Sequence, residues 1–299
     1  MFEEGQLYAP ITQGADGAVE VQLGADHPGV GDPVYRARRN SIAALALAWT
    51  PGQPVPHAEY TAEEHEVWQQ ICRELAVLHE TYACRDYREG ARRIHLPADR
   101  IPQLDEVTAV VEPLTGFRYV PAAGLVPLRK FYGSLADGVF HSTQYIRHHS
   151  VPLYTPEPDV IHEVVGHANC LASDRFARLY RAAGAAARRV TTPQALEFVS
   201  KVFWFSLEFG VVREDGSVRT YGAGLLSSYG EIQQIARADL RPLDVARMGV
   251  QTYDITHYQP LLFCAESFDE IEDVVGTFFE NVDDDLVAAL TTRQPRQFV

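Results

Sequence analysis

The chain contains 299 residues, of which 46% are hydrophobic and 22% are charged, and its formal net charge is −14 at pH 7. This length and composition are typical of a globular protein and allow one large domain or two small ones. The strongly negative charge argues against a nucleic-acid backbone or an anionic membrane surface as a partner, so we expect neither.

The chain also lacks the usual signals for export or membrane insertion. Its cysteines, Cys72, Cys84, Cys170 and Cys264, form no Cys-x-x-Cys pair, which argues against a zinc ribbon and against a disulfide framework. No apolar run reaches the length of a transmembrane helix, and the N-terminus has no signal-peptide pattern. We therefore predict a cytoplasmic protein whose thiols are reduced.

The first part of the chain is expected to contain an arm followed by a folded domain. Residues 1–25 are glycine-rich and aperiodic, which predicts a loosely ordered N-terminal arm, and residues 26–299 are expected to form a single domain. Thr61-Ala62-Glu63-Glu64 is typical of a capping box. The apolar residues that follow at helical spacing predict an amphipathic helix that ends near Tyr82.

The rest of the chain predicts mostly helices with a few short strands. Helices are predicted over 104–111, partly over 159–170, over 176–187, from Thr192-Pro193 to Phe209, over 225–235 and over 268–279. Strands are predicted over 116–120 and 260–265, and Asp215-Gly216 predicts a hairpin turn between two further strands. The expected fold class is therefore mostly α with a few short β-strands (α+β).

Two histidines and one downstream carboxylate predict a metal site. The string His162-Glu163-Val164-Val165-Gly166-His167 places two imidazoles five residues apart, and Glu208 lies in the apolar string Trp204-Phe205-Ser206-Leu207-Glu208-Phe209. A carboxylate among so many apolar residues is costly to bury unless it is paired or bound to a metal. Two histidines and one carboxylate form the facial triad that leaves open positions on non-haem Fe(II).

The spacing of the two histidines leaves other interpretations open. Zinc peptidases place their histidines at i and i+4, whereas on a regular helix His162 and His167 would point about 140° apart. Convergence on one metal requires a distorted helix, which Gly166 would permit. A zinc metallopeptidase with Glu163 as general base is the alternative enzyme class, and an ion pair between Glu208 and an arginine is the alternative to metal binding.

Several longer strings resemble one enzyme family. They include Asp26-His27-Pro28-Gly29, Asp32-Pro33-Val34-Tyr35-Arg36-Ala37-Arg38-Arg39, Phe140-His141-Ser142-Thr143-Gln144-Tyr145-Ile146-Arg147-His148, Tyr154-Thr155-Pro156-Glu157-Pro158-Asp159, Tyr221-Gly222-Ala223-Gly224-Leu225-Leu226-Ser227-Ser228 and Ala265-Glu266-Ser267-Phe268. With the histidine and Glu208 motifs, they resemble the pterin-dependent aromatic amino acid hydroxylases, and most closely the phenylalanine hydroxylases. The resemblance implies a catalytic domain of this family over residues 26–299.

This resemblance implies an iron- and pterin-dependent monooxygenase. Fe(II) and a tetrahydropterin (tetrahydrobiopterin or a related pterin) would activate O2 as the co-substrate. One oxygen atom would pass to the pterin and the other to the ring of a free aromatic amino acid. His162, His167 and Glu208 match the iron ligands, and they are the predicted catalytic and metal-binding residues.

Further site residues follow from the same resemblance. The predicted cofactor-binding residues are Phe131, which would stack on the pterin, with Gly124, Leu125, Glu163 and His141. The predicted substrate-binding residues are Arg147, which would pair with the substrate carboxylate, with Thr155, Pro156, Trp204, Phe209 and Ser227. His141 also matches a wall of the aromatic pocket. A structural ion pair for Arg147, and ordinary core packing for the pocket-lining residues, are the alternatives.

The preferred substrate is expected to be L-phenylalanine, converted to L-tyrosine. Trp204 favours phenylalanine, and Ile255 stands where the tyrosine enzymes have an acidic residue. Hydroxylation at the meta position, which gives meta-tyrosine, and 5-hydroxylation of tryptophan are the alternatives. The family usually has a proline two residues after the second histidine, whereas this chain has Asn169. This altered turn keeps the meta alternative open.

The expected partner is a small-molecule amino acid. The C-terminal end carries no heptad run, so we predict a monomer or a weak dimer. A catalytically inactive binding protein is the alternative outside enzymology. Such a protein would be expected to have lost a metal ligand, whereas all three candidate ligands are present.

Overall fold

A computed structural model describes residues 10–14, 17–124, 126–255 and 257–292 of the chain. Its α-helices are α1 (Pro33–Ala48), α2 (Ala62–Tyr82), α3 (Arg85–Ile94), α4 (Leu104–Thr115), α5 (Leu128–Leu135), α6 (Asn169–Leu171), α7 (Asp174–Arg189), α8 (Pro193–Phe203), α9 (Ala223–Ser227), α10 (Val245–Met248), α11 (Phe268–Ile271), α12 (Thr277–Asn281) and α13 (Asp284–Thr292). Three π-helices, π1 (Ile161–Ala168), π2 (Trp204–Glu208) and π3 (Glu272–Gly276), and a 3-10 helix (Ile232–Arg237) complete the helical elements of the described residues.

The strands of the described residues are short and form three small sheets. They are β1 (Ile11–Gln13), β2 (Val19–Val21), β3 (Arg118–Pro121), β4 (Val139–Ser142), β5 (Val211–Glu214), β6 (Ser217–Thr220), β7 (Asp239–Pro242) and β8 (Leu261–Ala265). β1 pairs with β2, β3 pairs in parallel with β4, and the largest sheet has the order β6-β5-β8-β7. This content confirms the predicted fold class, mostly α with a few short β-strands.

The predicted hairpin at Asp215-Gly216 is present. Asp215 has a φ of 49° and Gly216 a φ of 76°, which are the left-handed conformations that a two-residue turn of this kind requires. The turn joins β5 to β6, which pair antiparallel. Since β5 begins at Val211, just after Glu208, this sheet holds the chain immediately beyond the candidate carboxylate ligand.

Two of the predicted helices begin as their capping residues require. The Thr61 hydroxyl accepts a hydrogen bond from the Glu64 N–H, and the Glu64 carboxylate accepts one from the Thr61 N–H, so α2 has the predicted capping box. Thr192 caps α8, with Pro193 in the first turn, where its missing N–H costs nothing. The buried face of α2 consists of Val67, Trp68, Ile71 and Leu75.

The described part of the predicted N-terminal arm is a hairpin that packs on the domain. β1 and β2 pair antiparallel, the Val21 N–H donates to the Asn40 side chain of α1 at 2.8 Å, and Val21 is buried. Strands of three residues are too short to show a clear alternation, so the pattern was not visible in the sequence. A boundary between arm and domain at residue 25 stays a prediction.

Two other elements differ from the prediction. The helix predicted over 225–235 is instead α9 followed by the 3-10 helix, because the Ser228 hydroxyl accepts the Glu231 N–H at 3.4 Å and competes with a continuous helix. Helix α1 was not predicted, because its buried face includes the charged Arg39 and so shows no apolar stripe. Among the described residues, no helix is long and apolar enough to span a membrane.

Candidate active site

The two candidate histidine ligands lie on a π-helix, which explains their unusual spacing. A π-helix bonds residue i to residue i+5, so residues five apart lie on the same side of it. His162 and His167 are both in π1, and their Nε2 atoms are 3.0 Å apart. Two ligands at about 2.1 Å from one ion and at right angles to each other also lie about 3 Å apart. The distortion that the sequence required is therefore present.

A glycine allows π1 to approach the neighbouring helix closely. A Cβ atom added to Gly166 would lie 2.8 Å from the carbonyl oxygen of Ala223, the first residue of α9. That distance is shorter than real Cβ contacts, so a side chain at this position would push π1 away from α9. Gly166 therefore acts through close packing, since its own φ is not in the left-handed region.

Glu208 completes the cluster from the second π-helix. It is the last residue of π2, its Oε1 is 3.3 Å from His167 Nε2, and its Oε2 is 3.7 Å from His162 Nε2. The backbone N–H of Gly224 helps the histidines to lower the pKa of the Glu208 carboxyl. Among the described residues its ion-pair partners are thus the two histidines, and the arginine partner considered as an alternative is not observed.

A second carboxylate, that of Glu163, lies near the same histidines. Its ligand atom is within 4.8 Å of theirs. Burial raises the pKa of Glu163 to about 7, although Thr143 donates to its Oε1 from the backbone N–H and the hydroxyl, at 3.4 and 3.2 Å. Glu208 is the stronger candidate for a third ligand, because its oxygens form ion pairs with both imidazoles and the pKa of its carboxyl is lowered, whereas that of Glu163 is raised.

Both imidazoles are oriented through their Nδ1 atoms. The Ser227 hydroxyl donates to the Ala223 carbonyl at 2.8 Å, so its oxygen accepts the Nδ1–H of His162 at 3.0 Å. The buried Tyr180 hydroxyl lies 2.8 Å from His167 Nδ1. A protonated Nδ1 leaves the lone pair on Nε2, and such partners usually fix metal-binding histidines.

The ionisation states in this cluster suit a cation. Burial, helped by repulsion from His167, lowers the pKa of His162 to about 4, so its ring is neutral at pH 7. Burial opposes ionisation of Glu208, but the nearby His167 and His162 outweigh it, and the pKa of Glu208 lies below its ordinary value. A neutral imidazole at His162 and an anionic oxygen at Glu208 are donor types that a divalent metal binds.

Arg147 is held in place by Asp159. Its backbone N–H, Nε and Nη2 donate to the Asp159 carboxylate at 2.8, 2.8 and 2.9 Å, and both side chains are buried. Asp159 also accepts the His162 N–H at 3.4 Å. The structural ion pair is therefore present, and it fixes the guanidinium beside π1 through Nε and Nη2.

Aromatic residues surround the cluster on two sides. Trp204, at the start of π2, stacks on Tyr253 with ring centroids 4.4 Å apart and an interplanar angle of 14°, and its ring lies 4.5 Å from that of Phe209. On the other side, Phe140 lies 4.7 Å from the His167 ring and 5.7 Å from Phe131. The predicted substrate-side and pterin-side aromatics thus lie on elements that adjoin the histidines.

The remaining predicted residues have varied surroundings. The Thr155 hydroxyl donates to the Glu157 carbonyl at 2.8 Å, and Glu157 is buried between Arg39 and His27. This anchors the loop that contains Thr155 and Pro156. Burial, with some repulsion from Lys130, lowers the pKa of His141 to about 4. Gly124 is half-buried, and Leu125 lies outside the described residues.

Three residues of this site were missed in the sequence analysis. Asp159 was visible, since it precedes the histidine motif and a buried arginine needs a counter-ion. Tyr180 lies 13 residues after His167 on α7, and Tyr253 lies in a loop without periodic pattern. The sequence carries no local signal for either, because both reach the site through tertiary packing.

Comparison with known families decides between the classes left open by the histidine spacing. The family described as biopterin-dependent aromatic amino acid hydroxylase matches residues 16–291. The chain belongs to this family. The match begins before residue 26, so it includes part of the segment predicted as an arm. The chain is therefore an enzyme of the hydroxylase family, and the interpretations as a zinc metallopeptidase or as an inactive binding protein are set aside.

Individual relatives agree with this family. The hydroxylase is 52% identical over 264 residues to the phenylalanine 3-hydroxylase of Streptomyces coeruleorubidus, a match that covers 88% of this chain and 95% of that protein. It is 42% identical over 263 residues to the phenylalanine-4-hydroxylase of Rattus norvegicus, covering 86% of this chain and 58% of that protein. The chain thus spans somewhat more than half the length of the rat relative.

A solved structure also resembles the hydroxylase. Phenylalanine hydroxylase of Chromobacterium violaceum, with bound iron(III) and oxidised cofactor 7,8-dihydrobiopterin, has a TM-score of 0.74 and 27% sequence identity to it. The likeness covers 85% of this chain and 93% of that one. That protein therefore shows that a fold of this kind accommodates a metal together with a pterin.

Proposed function

We propose that His162, His167 and Glu208 hold Fe(II) in this hydroxylase and that, with a tetrahydropterin, it hydroxylates the ring of L-phenylalanine. The observation that carries the proposal is the convergence of two Nε2 atoms and a carboxylate from two π-helices, with donor atoms 3.0 to 3.7 Å apart. Bound iron and pterin would supply the activation of O2 that ring hydroxylation needs. The iron(III) and dihydrobiopterin of the Chromobacterium violaceum structure support both cofactors.

The chain itself contributes orientation and exclusion of water. Arg147, fixed by Asp159, would bind the substrate carboxylate, and Thr155 and Ser227 would contact the amino acid backbone. The stacked rings of Trp204 and Tyr253 offer an apolar wall for the substrate ring. A ring packed there lies beside π2, the element that ends at Glu208.

The pterin would occupy the side of the site that adjoins β4 and α5. Phe131 would stack on its ring, with Gly124, Leu125 and His141 around it. Glu163 has an oxygen within 4.8 Å of the histidine ligand atoms, and a carboxyl group with a raised pKa is suited to hydrogen bonding with a ring N–H. These roles rest on the match of residues to the family and on the proximity of Phe131 and Phe140 to His167.

Two positions on the phenylalanine ring are candidates for hydroxylation. The first is the para position, which gives L-tyrosine, and the relatives called phenylalanine-4-hydroxylase support it at 41–43% identity. The second is the meta position, which gives meta-tyrosine, and the 52% identity to a phenylalanine 3-hydroxylase favours it. In both cases Trp204 and Ile255 present apolar surface, so tyrosine would gain no polar partner for its hydroxyl from these residues.

Product analysis tests the proposal directly. The protein is loaded anaerobically with Fe(II), mixed with tetrahydrobiopterin and equal amounts of phenylalanine, tyrosine and tryptophan, and exposed to O2. Tyrosine or meta-tyrosine that requires both iron and pterin supports the proposal, and authentic isomers decide the position. Formation of 5-hydroxytryptophan alone would refute phenylalanine as the substrate. The absence of any pterin-dependent product would refute the proposed reaction.

Two variants test the assigned roles in the same assay. Glu208→Gln should abolish product and Fe(II) binding while the apo protein stays folded, because the anionic ligand is lost. Arg147→Ala should raise the KM for the amino acid strongly, because the carboxylate loses its partner. Full activity of Glu208→Gln, or an unchanged KM in Arg147→Ala, would contradict the respective assignment.

We also propose a cytoplasmic monomer or weak dimer that binds neither nucleic acid nor membranes. The net charge of −14 supports the exclusion of polyanionic partners. Light scattering coupled to size-exclusion chromatography, over a range of protein concentrations, measures the oligomeric state. A stable tetramer at low concentration would contradict this part of the proposal.

A further inference from the structure

Three side chains, of which Tyr87 and Asn169 are buried and His79 is partly buried, connect π1 to α9 behind the candidate metal site. Asn169 donates from Nδ2 to the Val165 carbonyl at 2.9 Å and to the Tyr87 hydroxyl at 3.0 Å. Tyr87 donates to the same Val165 carbonyl at 2.8 Å. His79 lies 3.4 Å from the Tyr87 hydroxyl through Nδ1, and its Nε2 lies 2.7 Å from the Leu226 carbonyl. We call Asn169, Tyr87 and His79 the bridge.

The hydrogen positions of the bridge fit one arrangement. The Leu226 carbonyl can only accept, so Nε2 of His79 carries the proton, and burial keeps this ring neutral by lowering its pKa to about 4. The single proton of the Tyr87 hydroxyl goes to the Val165 carbonyl at 2.8 Å rather than to His79 Nδ1 at 3.4 Å, so His79 and Tyr87 meet through their rings and not through a hydrogen bond. Asn169 supplies two N–H donors to the other end. The bridge therefore has one hydrogen-bonded end at the Leu226 carbonyl, another at the Val165 carbonyl, and a ring contact between them; loss of either end leaves polar groups with fewer partners.

Close packing holds the bridge against π1. Tyr87 lies on α3, and on the same helix a Cβ atom added to Gly90 would be 2.1 Å from the Asn169 carbonyl oxygen. The rings of His79 and Tyr87 meet edge to face with centroids 4.8 Å apart. Helices α2 and α3 thus support the end of π1 through both polar and steric contacts.

The two carbonyl groups joined by the bridge belong to the backbone that orients His162. Val165 lies between the two histidines in π1, and Leu226 precedes Ser227, which accepts the Nδ1–H of His162. A change in the separation of π1 and α9 would therefore move the His162 ring relative to its own hydrogen-bond partner. None of the three bridge side chains forms a hydrogen bond with the candidate ligand atoms of His162, His167 or Glu208.

We propose that Asn169, Tyr87 and His79 are positioning residues that hold π1 and α9 at the separation that aims His162 at the metal. This inference rests on the proposed function only in that His162, His167 and Glu208 bind a divalent metal. It requires no particular substrate or product. Asn169 stands where the family usually has proline, and proline has no side-chain amide, so the hydrogen bonds of Asn169 would be missing from family members that have the proline.

The test compares Tyr87→Phe with Tyr119→Phe as the matched control. Tyr119 is also buried and donates its hydroxyl to a π1 carbonyl, that of Glu163, at 3.2 Å, but neither this bond nor the one from its backbone N–H to Thr108 reaches α9. Binding of Co(II) to the apo protein is titrated by the d–d absorption of the metal. Partners behind metal-binding histidines commonly contribute about 10–100-fold to affinity, and we expect about tenfold weaker binding for Tyr87→Phe. Tyr119→Phe should change it less than about threefold, on the same scale.

A second substitution, at the His79 end of the bridge, keeps the test decisive if Tyr87→Phe folds poorly. His79→Leu removes the contact to Leu226, and it should weaken Co(II) binding and alter the d–d spectrum as Tyr87→Phe does. The double variant should lose little more than either single variant, because residues that act as a unit are not additive. Equal effects of Tyr87→Phe and Tyr119→Phe, or additive losses in the double variant, would overturn the inference.

The outcomes separate this inference from the proposed function. Unchanged Co(II) binding in both bridge variants overturns the bridge, whatever product the wild-type protein forms. Weaker binding in these variants, in a protein that forms no hydroxylated amino acid, supports the bridge and refutes the proposed reaction. In the active enzyme, the bridge variants should also oxidise more pterin per amino acid hydroxylated than Tyr119→Phe does.

Discussion

At the residue scale, the metal site depends on which nitrogen of each imidazole carries a proton. Ser227 determines this for His162, because its own hydroxyl proton is already donated to the Ala223 carbonyl. Tyr180 occupies the equivalent position beside His167. Neither hydroxyl is a metal ligand in this assignment. An Nδ1–H donated to Ser227 leaves the lone pair of His162 on Nε2, and an Nδ1–H donated to Tyr180 would do the same for His167.

Removal of the Ser227 hydroxyl should weaken metal binding. In Ser227→Ala the His162 ring loses its acceptor, and we expect the Kd for Co(II) to rise about tenfold. Ser228→Ala is the control, because that hydroxyl only accepts the Glu231 N–H at 3.4 Å. Calorimetric titration of both apo variants measures the difference, and equal Kd values would show that Ser227 does not orient the ring.

The partly buried His79 should make the apo protein less stable in mild acid. Its folded pKa is about 4, against about 6.5 in the unfolded chain, so below pH 6.5 the unfolded state binds a proton that the folded state excludes. This stability is present above pH 6.5 and is lost as the pH falls towards 4. The loss between pH 6.5 and 5 should be about 2 kcal/mol. Urea unfolding of the wild type and of His79→Leu measures it, and parallel pH profiles would contradict the assignment.

Asp159 links two functions, since it holds Arg147 and also accepts the His162 N–H. Burial opposes its ionisation, but Arg147 outweighs burial and keeps the pKa of Asp159 below its ordinary value. Its stabilising charge is therefore present above about pH 4 and is lost as the pH falls through the folded pKa.

Asp159→Asn should leave a buried arginine without its counter-ion. We expect the free energy of unfolding to fall by about 3–5 kcal/mol and the KM for the amino acid to rise, because the guanidinium is no longer fixed. Asp137→Asn, at an exposed ion pair with Arg188, should change stability by less than about 1 kcal/mol. Chemical unfolding and steady-state kinetics measure both, and a similar small change in both variants would contradict the role of Asp159.

At the element scale, π-helices replace regular helix at the two points where ligands are needed. π1 brings residues five apart onto one side, and π2 ends at Glu208, where the chain turns into β5. Such segments are less stable than α-helix and persist only where the surroundings hold them. Here α9 packs directly on π1 at Gly166.

Gly166→Ala should separate π1 from α9. The added Cβ would lie 2.8 Å from the Ala223 carbonyl, so we expect a loss of about 1–3 kcal/mol in unfolding free energy and weaker metal binding. Gly133→Ala on α5 is the control, because its Cβ would meet only ordinary contacts at 3.7 Å. Thermal unfolding and Co(II) titration compare the two, and an equally stable Gly166→Ala would show that the close contact relaxes freely.

At the scale of the whole molecule, metal binding joins distant parts of the chain. The two histidines and Glu208 come from separate π-helices, and Ser227 and Tyr180 add α9 and α7 to the same cluster. The unfolded chain cannot hold these groups together. A metal held by these residues would therefore bind the folded state, and its binding free energy would add to the stability of the fold.

A divalent metal should stabilise the whole domain. At a free Co(II) concentration one hundred times the Kd, the free energy of unfolding should rise by about 2.7 kcal/mol. Glu208→Gln should abolish this increase, while its apo form unfolds in a single transition as the wild type does. Calorimetry with and without metal measures it. An equal increase in Glu208→Gln would mean that the metal binds elsewhere.

The sequence by itself determined the fold class and the chemistry of the ligands. The capping box at Thr61, the Asp215-Gly216 turn and the apolar stripe of α2 are local signals, and local signals act within a few residues. The family motifs identified the class of reaction in the same way. The spacing of His162 and His167 even required a distorted helix, although it could not specify a π-helix.

Only the tertiary structure decided how these ligands are held. Tyr180, Tyr253 and the bridge through Tyr87 reach the site from elements far away in sequence, and no local pattern marks them. The choice of a candidate third ligand also depends on the folded structure, because Glu163 and Glu208 both lie near the histidines and only distance and ionisation distinguish them. Packing brings together residues that the sequence keeps apart, so orientation, burial and pKa belong to the folded molecule.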